Sequence, residues 1–206
     1  MTGQVGKMVR VMSLGDQVAE ICMQIRRCVE GWWLYEALGD YIVVKGNQRR
    51  ARSFSHAYSA IWTAGFDTMI VASYNLIVTS PDGKSLTLVT FADELDSSGL
   101  DPRLVSALRS MPSKHARFVK SLQRIRNKAT AHIDRAMPTQ DQFNGALLGT
   151  EWIREFLQDL VYLFHAVARH SSKDIGPPNH TVRAQMQQML HLAIRHREQI
   201  RQSAEV

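Results

Sequence analysis

The segment SFSHAYSAIWTAGFDTMIVASYNLIV, Ser53 to Val78, constrains the fold more than any other part of the chain. It is apolar on most sides at helical spacing, which predicts a central helix that several neighbours must cover. It stops at SPDGKS, where Pro81 ends the helix and Asp82-Gly83 supplies the turn. A helix of this kind needs other helices around it.

The remaining signals provide them. Upstream, Asp16 is placed to cap a helix through VAEICMQIRRCVEG, with Val18, Ile21, Cys22, Ile25 and Val29 at helical spacing and Gly31 as its stop. WWLYEAL reads as a further helical turn or a continuation, with Trp32 and Trp33 as core anchors. YIVVKGNQRR reads as a short strand or loop before the central segment, which begins near Arg50. Downstream, Ser85 or Thr87 caps a helix through LVTFADEL. DSSGLDP breaks the chain before a helix from Arg103 to Met111, and another helix starts at Ser113. Thr139 can cap a short helix and Thr150 the longer EWIREFLQDLVYLFHAVARH, followed by the loop SSKDIGPPNH. A last helix carries Val182, Met186, Met189, Leu190, Ala193 and Ile194 along one side.

The expected fold class is therefore all-α: an antiparallel helical bundle with an additional C-terminal helix. One domain is expected over residues 1–206, long enough to bury a proper core. Residues 1–15 read as an N-terminal tail. Residues 180–203 read as a C-terminal helix that is an appendage, packed on the bundle or offered to a second subunit.

The net charge is +6, but its position says more than its size. Between Asp101 and Arg135 lie nine basic residues against two acidic ones, so the rest of the chain is close to neutral. A solvated helix face is the plain account of that window. A second basic knot, RRAR, occupies Arg49 to Arg52. Cys22 and Cys28, six apart in a helical segment, point to different faces and are not expected to pair. No signal-peptide run and no stretch of roughly 20 apolar residues occurs, so a cytoplasmic chain with no membrane partner is expected.

One stretch, RIRNKATAHID from Arg124 to Asp134, does not fit a simple amphipathic helix. At about 100° per residue, Phe118, Val119, Leu122, Ile125 and Ala129 form a buried stripe, with Lys120, Arg124 and Asn127 opposite in water. Arg126 falls inside the stripe. A guanidinium is not left unpaired in a core. Arg126 therefore meets an acidic group, carbonyls, a wet interface or an anionic ligand, or else its stem lies on apolar surface while its head reaches solvent.

His132 falls about 120° from Arg126 and about 9 Å further along an ideal helix. Either the helix ends near Thr130-Ala131 and the chain turns His132 inward, or a second copy of the stretch completes the site. A histidine that trades protons near neutrality, beside a forked cationic donor, is the equipment that metal-free RNA cleavage requires. The 2′-OH must lose a proton, the 5′-oxygen must gain one, and charge develops on the phosphoryl oxygens between them. One histidine cannot easily do both transfers in one step, which favours two chains.

Arg126-Asn127-Lys128-Ala129-Thr130-Ala131-His132 resembles the signature of the HEPN superfamily, an arginine followed by a polar residue and separated by four to six residues from a histidine; here five intervene. RNKATAHID is similar to the form found in the AbiU-type abortive-infection branch, and the order of elements from Val18 to His170 is similar too. The resemblance implies a helical bundle forming homodimers, with paired motifs in a cleft at the interface. Many members are metal-independent endoribonucleases, often toxins or phage-defence effectors. Arg126 and His132 would then be catalytic and Asn127 an orienting or RNA-contacting residue. Lys128, Asp134 and Arg124 would support the site or bind RNA. RNA, a second copy and an antitoxin or defence-system protein are the implied partners, with no cofactor and no metal. Other members bind nucleotide or act as scaffolds, so a non-catalytic RNA-, nucleotide- or protein-binding module is the alternative.

Other chemistry has little support. His165 and His170, and His191 and His196, are five apart, off the i, i+4 spacing of a helical zinc site. No HExxH, paired CxxC, Walker loop, GxGxxG or GxSxG is present. His56 and His115 read as polar residues at helix edges.

Overall fold

Apolar residues recurring every three or four positions form helices here. The computed structural model describes residues 12–43, 55–80, 85–132, 150–171 and 175–204, and among them are seven helices and no strand. They are α1 (Leu14–Val43), α2 (Ser55–Ile77), α3 (Leu88–Ser97), α4 (Pro102–Lys114), α5 (Ala116–His132), α6 (Thr150–Ala168) and α7 (Val182–Ala204). The all-α bundle expected from the sequence is the fold observed. No described helix is long and apolar enough to cross a membrane.

α1 buries Val18, Ile21, Cys22, Ile25, Val29 and Trp32, the stripe its spacing predicts. Its start differs from the reading of Asp16 as cap. The Ser13 hydroxyl accepts the Asp16 backbone N–H at 3.2 Å and donates to the Asp16 carboxylate at 2.8 Å, so Asp16 sits in the first turn and Ser13 caps it. Nor does Gly31 stop the helix, and Tyr41–Val43 are helical rather than strand or loop. Gly31 is the point of closest approach to α2. A Cβ placed there would lie 2.8 Å from the Gly65 carbonyl oxygen, and one on Gly65 would lie 3.0 Å from that of Gly31. Both buried cysteines are free, and burial pushes each thiol up to about 12.

α2 packs along α1 and also touches α3 and α5. Met69, Ala72, Ser73 and Leu76 face the core, but Ala60, Ile61, Ala64, Thr68, Val71 and Asn75 are exposed. The expectation of cover on most sides is thus corrected. The outer face is mostly small or polar, so leaving it in water costs little.

Local chemistry fixes the next corner. Thr87 caps α3 in a reciprocal pair with Thr90. Gly99, at φ +66°, ends it: the Gly99 N–H donates to the Asp96 carbonyl and the Leu100 N–H to that of Leu95. Asp101 then accepts the Leu104 N–H, capping α4, whose Arg109 reaches back to Asp93 and Asp96 at 2.7 and 2.9 Å.

The expected break at Pro112-Ser113 is absent. α4 runs through Pro112 to Lys114, and the Ser110 and Ser113 hydroxyls donate to the Ala107 and Ser110 carbonyls in the last turns. α6 contributes Ile153, Phe156, Leu160, Leu163, Phe164 and Val167 to the core and meets α1 through Arg154 and Glu36. α7 rests on α1, where the Asn179 N–H donates to the Glu30 carboxylate at 2.8 Å.

Candidate functional site

α5 carries the anomalous stretch, and its course begins at His115. The His115 carbonyl accepts the Val119 N–H, so this residue starts the helix. Its ring is only 6% exposed, edge-on to Phe156, with Nε2 2.7 Å from the Asp159 carboxylate of α6. The same oxygen meets Lys114 Nζ at 2.6 Å. Burial pushes the Asp159 carboxyl up, but the hydrogen bonds and charges of Lys114 and His115 outweigh it and hold the group below its usual range. His115 thus stands at a helix end, as read from the sequence, but buried and paired there rather than open to water. Its partner is 44 residues away, and no local signal in the sequence pointed to the pairing.

The first half of α5 is tied to the core. Phe118 and Leu122 are fully buried, Ile125 nearly so, and Phe118 packs on Phe156 at 4.7 Å between ring centroids. Arg117, Lys120, Gln123 and Arg124 are exposed on the other side. The angles read from the sequence thus describe this half correctly, including Lys120 and Arg124 in water.

α5 continues through Arg126, Asn127 and Lys128 to His132 without a break. The side chains of 126–132, and Asp134 altogether, lie outside the described residues. The helical span itself bears on geometry. The variant in which the helix stops near Thr130-Ala131 is not the one adopted. On a regular helix the two positions lie about 9 Å and about 120° apart, so one copy of α5 does not by itself converge them on a small target.

Two carboxylates that a structural role for Arg126 would call on sit on neighbouring helices. Asp67 is on α2, its carboxyl pushed up by partial burial, and Glu155 is on the exposed side of α6. Among the described residues no three His, Cys, Asp or Glu side chains gather closely enough to hold a metal ion. Comparison of the chain with family models, with curated proteins and with solved structures finds no match.

Proposed function

We propose that the chain is a cytoplasmic, metal-independent endoribonuclease of the HEPN type, working as a homodimer in phage defence or as a toxin. The observation that carries this reading is the unbroken span of α5 from Ala116 to His132, its first half anchored by Phe118, Leu122 and Ile125. A rigid, core-anchored helix is the support that a precisely held pair of catalytic groups needs.

In this reading His132 of one copy takes the proton of the ribose 2′-OH and His132 of the other gives one to the 5′-oxygen. Arg126 neutralises the charge that builds on the phosphoryl oxygens. The 2′-oxygen forms a bond to phosphorus as the bond to the 5′-oxygen breaks. The products are a 2′,3′-cyclic phosphate, or its hydrolysis product, and a free 5′-hydroxyl.

Arg126→Ala and His132→Ala are each expected to remain folded dimers and to lose about a hundredfold or more of the cleavage rate on single-stranded RNA. Chelator is expected to leave the wild type unaffected. Cleavage abolished by EDTA would sink the mechanism, and intact RNA after long incubation with the wild type would leave the binding-module alternative in its place.

A further inference from the structure

The nine basic residues of the Asp101–Arg135 window are not equivalent in the fold. Arg109 is held by Asp93 and Asp96, and Lys114 by Asp159. Arg117, Lys120 and Arg124 are exposed on one side of α5, and among the described residues none of them meets a carboxylate at ion-pair distance. Their spacing makes neighbours of like charge at i, i+3 and i, i+4, each of which mildly disfavours the helix. Arg117 also stands in the first turn, where the macrodipole disfavours a cation. No acidic residue lies between Ala116 and His132 to relieve either effect. α1, by contrast, carries Arg26 paired with Glu30 one turn on. Beside the strip, the Arg117 guanidinium lies 5.7 Å from the ring centroid of Trp152 on α6, a half-buried residue. Two exposed acidic residues of α6 flank that ring in sequence, Glu151 next to it and Glu155 one turn further along.

We propose that the outer side of α5 is a track for single-stranded RNA, with Arg117, Lys120 and Arg124 neutralising successive phosphates and the Arg117–Trp152 pair stacking a base. Uncompensated cations in a row, edged by an aromatic group, are the surface to which a flexible polyanion with stackable bases is complementary. The track spans about 10 Å and runs along the helix toward Arg126 and His132. The choice of RNA, and the delivery of a phosphodiester to that end, rest on the ribonuclease reading.

The test is the affinity of a fluorescent oligouridylate, measured by anisotropy across a salt series in the Arg126→Ala background, which keeps the RNA intact. Each of Arg117→Gln, Lys120→Gln and Arg124→Gln is expected to lower the slope of log affinity against log salt by about 0.7, and the triple variant by about 2. Trp152→Leu is expected to weaken binding about fivefold or more with the slope kept, and thermal melting checks that it folds. Glu155→Gln should tighten binding, and Arg109→Gln should change nothing. A triple variant with the parent's affinity and slope overturns the track, as does a parent that does not bind. A triple variant that binds RNA normally but sediments at a lower mass overturns it too, making the strip a subunit contact. If binding responds as expected while the wild type cleaves nothing, the track stands and the ribonuclease reading falls.

Discussion

His115 and Arg124 show opposite fates for a polar residue on a helix that packs on one side. Arg124 is where the angle count puts it, because exposure follows from the local spacing of Phe118, Leu122 and Ile125. His115 is buried because Asp159 approaches from another helix. The Asp159 carboxyl sits below its usual 3.8 in the folded chain, so it contributes stability that is full above that value and lost as pH falls through the folded one. Asp159→Asn is expected to cost about 1–2 kcal/mol near pH 7 in urea unfolding, since a charged acceptor becomes neutral. The gap between variant and wild type should close below about pH 4. A gap constant down to pH 3 would show that the carboxylate's charge plays no part. Local periodicity could never have shown this pair; only the chain's return through α6 makes it.

At the scale of elements, legibility tracks how local the cause is. The Thr87 cap and the break at Gly99 use partners within five residues, and the sequence marks both. Gly31 looks like a stop by the same local rules, yet it is a contact residue whose reason is Gly65 on another helix. Gly31→Ala is expected to destabilise the protein, because a methyl 2.8 Å from a backbone oxygen must push α1 and α2 apart. Such overpacking costs about 1–3 kcal/mol, against a gain in helix propensity of up to about 1 kcal/mol. Gly39, in the same helix, has nothing within 4 Å of a Cβ, so Gly39→Ala should be neutral or stabilising. Urea midpoints for the two variants moving in the same direction would contradict the close-approach account.

At the scale of the whole molecule, the all-helical bundle was legible because nearly every segment carries a 3.6-residue stripe, whereas the completion of the site was not, because in the proposed reading it depends on what a second copy brings. Arg126 and His132 stand six positions apart on one continuous helix, and a regular helix separates such positions by about 9 Å and about 120°. If two copies supply the two histidines, one as base and one as acid, a dimer holding a single His132 has lost half of the proton relay. Wild-type and His132→Ala chains, unfolded together in equal amounts and refolded, give wild-type dimers as about one quarter of the total by random pairing. RNA cleavage should then fall to about a quarter of that of an all-wild-type sample at the same chain concentration. A site complete within each chain would instead retain about half, because every wild-type chain would keep working whatever its partner. Using two variant chains for each wild-type chain sharpens the distinction, since wild-type pairs then make up about one ninth of the dimers and wild-type chains about one third of the total. Linear dependence on the wild-type fraction would place both proton transfers in a single chain and remove the need for two facing motifs.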